Sequence, residues 1–134
     1  MRCLSVEDNL INQKIISAII NISGHEVSCV ENGLECIKLL EHDSDFDLIF
    51  MDLMMPVMSG HEAIGHIRNE KRFDHIPIII VTASPIDICV GCTLSQEFIS
   101  KPFHKEDIIS VLKKYENHKF INHERKCRKR DEKI

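Results

Sequence analysis

The chain has 134 residues, of which 43% are hydrophobic, and this is enough for one domain with a buried core. No apolar run approaches the roughly 20 residues that a membrane-spanning helix needs, and Glu7 and Asp8 interrupt the N-terminus before the apolar part of a secretory signal develops. We therefore expect a soluble, cytoplasmic protein without membrane insertion.

The formal net charge of −4 conceals an acidic body and a basic end. Residues 113–134 carry nine Lys and Arg against four Asp and Glu, whereas residues 1–112 carry eight against seventeen. We expect a single domain at residues 1–116, followed at residues 117–134 by a flexible basic tail. The alternative for this tail is weak binding of nucleic acid or of an anionic membrane surface, although its basic run at residues 125–130 has no interleaved aromatic side chains to stack on bases.

Five short apolar runs predict β-strands, and the longer amphipathic stretches between them predict helices. The strands are expected at residues 3–6, 26–30, 46–51, 76–82 and 97–100. The helices are expected at residues 9–23, 34–41, 61–69 and 105–115. Gly24 is expected to end the first helix, and helical spacing predicts that its inward face consists of Ile11, Ile15, Ile19 and Ile22.

The alternation of strands and helices predicts an α/β fold, with a doubly wound parallel sheet of five strands and helices on both faces. The third run contains a continuous apolar segment, which indicates a strand that is buried on both sides. In sheets of this kind, ligands bind beyond the carboxyl ends of the strands. The chemistry is therefore expected in the residues that follow each strand.

Polar residues follow four of the five strands. They are Glu7 and Asp8, Asp52, Thr82, and Lys101. Three neighbouring carboxylates repel one another unless a cation is present, and Mg²⁺ fits because it takes oxygen ligands together with water and phosphate. Lys101 is a compact cation suited to a second anion, for which a phosphoryl group fits the pattern. A carboxylate can attack phosphorus to form an acyl phosphate, while Mg²⁺ and the lysine neutralise the developing charge.

Four segments around these residues resemble the receiver domains of two-component response regulators and hybrid histidine kinases, in the manner of the chemotaxis regulators. In chain order they are Val6-Glu7-Asp8-Asn9, Met51-Asp52-Leu53-Met54-Met55-Pro56, Val81-Thr82-Ala83 and Ser100-Lys101-Pro102-Phe103. The resemblance covers about residues 1–116, and its specificity lies in all four segments standing in order at strand ends. It implies a flavodoxin-like sheet with the strand order 2-1-3-4-5.

The resemblance also implies a role for each acid. Asp52 would be the phosphoacceptor and a ligand of Mg²⁺, and Asp8 would be a second direct ligand. Glu7 would act on the metal through a bound water. The backbone carbonyl of Met54 would be a further ligand of Mg²⁺.

Further positions would serve the switch and its rate. The resemblance implies that Lys101 binds the phosphoryl oxygens and that Thr82 moves to contact them. Phe98 stands where the family has a rotating aromatic switch residue, although a plain core aromatic is the alternative. Ser84 and Met54 occupy positions at which the family tunes the rate of phosphate loss, and a serine at position 84 is also an ordinary helix cap.

The chain departs from the family between the fourth and fifth strands, where it is shorter than usual. Residues 84–95 predict a short or irregular fourth helix, because Pro85 can open a helix but Gly91 and several β-branched residues oppose a long one. This face commonly carries dimerisation and output contacts in the family. An alternative function is therefore a receiver-like docking module that does not cycle phosphate.

The leading prediction is a phosphoacceptor signalling switch of a two-component phosphorelay. The donor would be a histidine kinase or a histidine phosphotransfer protein, and the downstream partner is not identified by the sequence. Whether to call the chain an enzyme stays open, because it would catalyse only its own phosphorylation and dephosphorylation. The chain is expected to be a stand-alone receiver or the receiver of a larger hybrid kinase. A phosphatase for external substrates is disfavoured, because Met54 stands where such enzymes place a second acid.

Overall fold

The computed structural model describes residues 1–83 and 97–117. Its strands are β1 (Arg2–Val6), β2 (Glu26–Val30), β3 (Leu48–Asp52), β4 (Ile78–Thr82) and β5 (Glu97–Ser100). All neighbouring strands run parallel, in the order β2-β1-β3-β4-β5. The predicted doubly wound sheet and its strand order are confirmed.

Helices cover both faces of this sheet. They are α1 (Leu10–Ile22), α2 (Gly33–His42), α3 (Gly60–Arg68), a 3₁₀ turn at Lys71–Phe73 and a C-terminal helix at residues 105–117. Within residues 1–83 and 97–117, no helix is long and apolar enough to cross a membrane. The short or irregular helix predicted at residues 84–95 lies outside the described residues, so it stays a prediction.

Side-chain caps fix where the first three helices begin. Asn9, Asn32 and Ser59 precede α1, α2 and α3, and each side chain accepts a hydrogen bond from the backbone N–H three residues later. Such a cap satisfies one of the donors that a helix start leaves unpaired. Gly24 follows α1 with φ of 89°, a backbone conformation that glycine adopts at little cost, so the predicted stop is confirmed.

The two central strands β3 and β4 are buried at every residue. Along β3, Ile49 and Met51 pack in the layer that contains α2 and α3, whereas Leu48 and Phe50 pack in the layer that contains α1 and the C-terminal helix. Side chains alternate between the two faces along a strand, so a strand covered on both sides needs apolar residues at successive positions, as residues 48–51 provide. The prediction from the continuous apolar run is therefore confirmed.

The predicted inward face of α1 is wrong for three of its four isoleucines. Ile11, Ile15 and Ile22 are exposed, while Ile19 is partly buried. The side chains that α1 buries in the core are Ile16 and Ile20. Isoleucines lie on two sides of this helix, so their spacing fits two orientations. The face of α1 that meets the sheet depends on the direction in which the chain enters the helix after β1. That direction is set by tertiary packing and not by the spacing of the isoleucines.

Paired alanine substitutions test the corrected orientation of α1. Ile16→Ala removes a side chain that is 1% exposed and should lower the free energy of unfolding by about 2–5 kcal/mol. Ile11→Ala truncates a side chain that is 70% exposed and should change it by no more than about 0.5 kcal/mol. Urea unfolding followed by circular dichroism measures both values. Equal losses for the two variants would contradict the orientation.

The C-terminal helix packs on the same layer as α1, and Tyr115 lies near its end. Tyr115 is the single tyrosine of the sequence and is buried. Burial of its hydroxyl, together with the negative charge and hydrogen bond of Glu97, raises its pKa to about 12. Glu97 in β5 also accepts a hydrogen bond from Lys114 at 2.8 Å. The helix is thereby tied to the edge strand of the sheet.

We expect the absorbance of tyrosinate to appear with a midpoint of about 12 in an alkaline titration of the native protein. Because the chain has one tyrosine and no tryptophan, the signal has a single source. Glu97→Gln removes the negative charge and should lower the midpoint. A native midpoint of about 10, the value of an unperturbed tyrosine, would show that this end of the helix is open to solvent.

Candidate functional site

The register of the sheet brings the ends of its strands to one edge. Asp52 pairs with Val81, and Thr82 pairs with Ser100. The backbone N–H of Lys101 donates to the carbonyl of Thr82 at 2.8 Å, which extends the β4–β5 ladder by one residue. The polar residues that follow β1, β3, β4 and β5 therefore meet at the carboxyl edge, where ligands bind in sheets of this kind.

Three carboxylates lie together at this edge. One oxygen from each of Glu7, Asp8 and Asp52 lies within 4.8 Å of the others. Glu7 and Asp52 are only 2% and 4% exposed, whereas Asp8 is exposed. Buried carboxylates repel each other strongly, because little water is present to screen their charges. The cluster thus has an oxygen-rich interior and one side open to solvent.

The donor set of this cluster fits Mg²⁺. Mg²⁺ prefers oxygen ligands, uses one or two carboxylates and keeps several waters, which the exposed side of Asp8 would admit. Within residues 1–83 and 97–117, Glu7, Asp8 and Asp52 form the one group of three potential metal-binding side chains. All three are residues that the sequence predicted for a metal site.

Lys101 lies between two of the acids. Its ammonium donates to Glu7 Oε2 at 2.9 Å and lies 3.3 Å from Asp52 Oδ2. Burial by itself would lower the pKa of Lys101, but the hydrogen bond to Glu7 and the charges of both carboxylates outweigh it and raise the pKa. The lysine therefore stays protonated, as a fixed positive charge beside Asp52. The peptide bond from Lys101 to Pro102 is cis.

Asp52 has a raised affinity for protons. Burial of its carboxyl group and the neighbouring charge of Glu7 raise its pKa to about 6, against the opposing effects of Lys101 and of a hydrogen bond from the Met54 backbone N–H. That N–H donates to Asp52 Oδ1 at 3.2 Å. Perturbed acids in clefts of this kind are candidates for function. A bound cation would oppose the shift by favouring the ionised form.

The loop that follows Asp52 is closed by backbone hydrogen bonds, and we call residues 53–60 the acceptor loop. At its end, the N–H of Gly60 donates to the carbonyl of Leu53 at 3.1 Å. Within it, the N–H of Met58 donates to the carbonyl of Pro56 at 2.7 Å, which forms a γ-turn centred on Val57. Val57 has φ of 68°, a conformation that is strained for a β-branched side chain. The acceptor loop is therefore short, closed and strained.

The acceptor loop also contacts the first turn of α2, and the sequence did not predict this contact. The N–H of Gly33 donates to the carbonyl of Met58 at 3.1 Å. Asn32 caps α2, and Gly33 is the first residue of this helix. The sequence signal for this contact was the glycine at the start of the helix. A glycine has no side chain, so it allows another backbone segment to approach closely.

The predicted switch positions differ in their surroundings. Thr82 is 1% exposed at the end of β4, next to the acids along the carboxyl edge. Phe98 in β5 is 56% exposed, so it does not belong to the core, and the alternative of a plain core aromatic is wrong. Ser84 lies outside the described residues.

The sequence of the chain matches the family model described as the response regulator receiver domain over residues 3–113. Among curated relatives, hybrid signal transduction histidine kinase M of Dictyostelium discoideum is 37% identical over 121 residues, an alignment covering 83% of this chain and 5% of that protein. Probable histidine kinase 4 of Oryza sativa subsp. japonica is 31% identical over 136 residues, covering 84% of this chain and 13% of that protein. The chain thus spans a small part of the length of these relatives.

A solved structure gives the same result for the fold. The receiver domain of a sensor histidine kinase from Pseudomonas aeruginosa, with magnesium coordinated in its active-site cleft, has a TM-score of 0.77 and 29% sequence identity. The alignment covers 85% of this chain and 95% of that one. The family model spans most of the chain, and the carboxyl edge of the sheet carries the acids and the lysine that the resemblance implied. The chain therefore belongs to the family of response regulator receiver domains.

Proposed function

We propose that this receiver domain is a phosphoacceptor switch of a two-component phosphorelay, in which Asp52 takes a phosphoryl group in a Mg²⁺-dependent reaction. The observation that carries the proposal is the position of the Asp52 carboxylate, beside two further acids and 3.3 Å from the ammonium of Lys101. A carboxylate that lies beside a fixed cation and within a group of oxygen ligands that fits Mg²⁺ is equipped to attack phosphorus.

The proposed reaction transfers a phosphoryl group between two side chains. A carboxylate oxygen of Asp52 forms a bond to phosphorus while the bond from phosphorus to the donor's imidazole nitrogen breaks, and that nitrogen keeps the electron pair. Glu7, Asp8, Asp52 and the carbonyl of Met54 would hold Mg²⁺, which supplies positive charge to the phosphoryl oxygens. Lys101, which contacts both Glu7 and Asp52, would neutralise part of the remaining charge and keep Asp52 oriented.

The reverse reaction and the switch use neighbouring positions. Hydrolysis of the acyl phosphate by water would return Asp52 to its carboxylate form, and we propose that Met54 and Ser84 set its rate through access of that water. Thr82, at the end of β4, would donate its hydroxyl to a phosphoryl oxygen. Movement of Thr82 toward the phosphoryl group and of Phe98 from its exposed position would then convert the charge on Asp52 into a change of surface.

Exposed apolar side chains support a protein as the phosphoryl donor. Leu10 and Ile11 begin α1, directly after the acids of β1, and are 58% and 70% exposed. Met54 and Val57 stand on the acceptor loop and are 65% and 75% exposed. Exposed apolar groups around a polar site are typical of protein contacts. A histidine kinase or a histidine phosphotransfer protein is the partner that would bring a phosphohistidine to this rim.

The intact cluster favours this function over the two alternatives. A docking module would not need a buried Asp52 beside Glu7 and Lys101, and such buried charges are costly to retain. The docking surface that this alternative requires, at residues 84–97, lies almost wholly outside the described residues. A phosphatase for external substrates would need a second acid where Met54 stands. We further propose a domain boundary near residue 116, a basic tail at residues 117–134 and a cytoplasmic location.

Phosphorylation by a small donor tests the proposal directly. In the presence of Mg²⁺ and acetyl phosphate, we expect the intact mass of the wild-type protein to increase by one phosphoryl group. Asp52→Asn should abolish the adduct, because the amide is not a nucleophile for phosphorus. Lys101→Ala should lower the rate by about 10²-fold, since it removes one of the groups that stabilise the transition state.

The matched control for these variants is Glu41→Gln, which neutralises an exposed acid of α2 outside the site. It should be phosphorylated at the wild-type rate. A phosphoryl adduct that persists in Asp52→Asn would assign the acceptor to another residue. Wild-type protein that binds Mg²⁺ but gains no adduct would favour the docking module.

The raised pKa of Asp52 predicts a pH-dependent effect on stability in metal-free buffer. The folded state binds the Asp52 proton more tightly than the unfolded state, since the pKa changes from 3.8 to about 6 on folding. The stabilisation from this proton is therefore present below about pH 4 and lost as the pH rises through about 6. Asp52→Asn removes the cost of holding an ionised carboxylate in this buried position. The variant should therefore melt at a higher temperature than wild type at about pH 7.5, and the difference should shrink toward about pH 4.

Thermal unfolding with a chelator present measures this difference, and Glu41→Gln again serves as the control because its carboxyl is exposed. Addition of Mg²⁺ should raise the melting temperature of wild type more than that of Asp52→Asn, because the ion binds the folded site. A variant less stable than wild type at neutral pH would mean that the contact with Lys101 outweighs the repulsion between the acids.

A further inference from the structure

The start of α2 and the acceptor loop approach each other too closely for an ordinary side chain. A Cβ atom built on Gly33 would lie 2.9 Å from the carbonyl oxygen of Met58 and 2.9 Å from its Cγ. It would also lie 2.9 Å from Cβ of Ala63 in α3. Because one of these atoms is backbone, the contact cannot be relieved by rotating a side chain alone. Glycine at position 33 is thus what lets the acceptor loop lie against α2.

From this contact we propose that Gly33 is a positioning residue of the phosphoacceptor site: by admitting the acceptor loop against the first turn of α2, it holds Met54 beside Asp52 and sets the affinity for Mg²⁺. The inference rests on the proposed function, since it concerns the same cation site. Gly33 itself touches none of the three acids that are grouped at the carboxyl edge. Its effect would pass through Met58 and the backbone of the loop.

The acceptor loop has little freedom to absorb a displacement at Met58. At its far end, a Cβ atom on Gly60 would lie 2.2 Å from the carbonyl oxygen of Asp52, so α3 begins directly against the end of β3. In the middle, the γ-turn holds Val57 in a left-handed conformation that costs energy for a β-branched residue. Such strain persists only where the surroundings hold it in place. Movement of Met58 would therefore be passed along the loop.

Movement of the loop would affect the Asp52 carboxylate through Met54. Its N–H donates to Asp52 Oδ1 at 3.2 Å, so the loop orients the carboxylate that the proposed function uses as ligand and nucleophile. Groups that orient metal ligands without touching the metal commonly change metal affinity by about 10- to 100-fold when they are altered. The bond from the Gly33 N–H to the Met58 carbonyl places α2 in that supporting role.

The test is Gly33→Ala, with Gly65→Ala as the matched control. A Cβ atom on Gly65 in α3 meets nothing within 4 Å, so the control makes the same chemical change in a helix without a contact. We expect Gly33→Ala to weaken Mg²⁺ binding by about tenfold and Gly65→Ala to leave it unchanged. Binding is measured by titrating the purified full chain with MgCl₂ and following the backbone amide resonances, in particular that of Met54. Melting curves in chelator verify that both variants are folded.

Met58→Ala is the second variant, and it decides the question if Gly33→Ala does not fold. It removes the side chain that packs against the start of α2 while leaving Gly33 in place, and it should weaken Mg²⁺ binding in the same direction. Wild-type affinity in every folded variant would overturn the inference, as would an equal loss in Gly65→Ala. If wild type itself shows no Mg²⁺-dependent shifts, it is the proposed function that fails.

Discussion

The structure depends on an imbalance of charge at the carboxyl edge of the sheet. Three carboxylates meet one ammonium there, which leaves a formal charge of −2 if all four groups are ionised. Protonation of Asp52 relieves part of that charge only as the pH falls through about 6, the pKa to which burial and Glu7 raise this carboxyl. A divalent cation restores neutrality without a proton, and it leaves the nucleophile ionised. The charge of this site therefore suits a divalent ion, which is one of the grounds for the phosphoryl chemistry that we propose.

The opposite edge of the sheet uses its charges differently. Arg2 begins β1, and its guanidinium donates to both oxygens of Asp43 at 3.2 and 2.8 Å and to the carbonyl of Asp45 at 2.7 Å. The same group lies 4.7 Å from the ring centroid of Phe46, and these contacts hold the segment that enters β3. The acids around Arg2 are open to solvent, whereas Glu7 and Asp52 at the carboxyl edge are buried, so charge repulsion is screened at the first edge and not at the second.

The residues of the site could be predicted because their positions are set by chain order alone. Each of Asp52, Thr82 and Lys101 follows or ends an apolar run, and a parallel sheet brings such ends together whatever the helices do. The face of α1 could not be predicted in this way, because Ile11 and Ile16 fit the same helical period on different sides. The contact between Gly33 and Met58 could likewise not be predicted, since it joins the start of α2 to the acceptor loop, and their approach depends on how α2 and α3 pack.

The full burial of β3 also governs how the domain must assemble. β3 lies between β1 and β4, and its five residues are shielded only after both helical layers are in place. The contact between Lys101 and Glu7 joins groups 94 positions apart in the chain. Such distant pairings are slow to form, because loop-closure entropy is lost before any contact is gained. The contacts of Lys101 with the acids therefore form only when the last strand has docked, so this pairing reports on the folding of the entire domain.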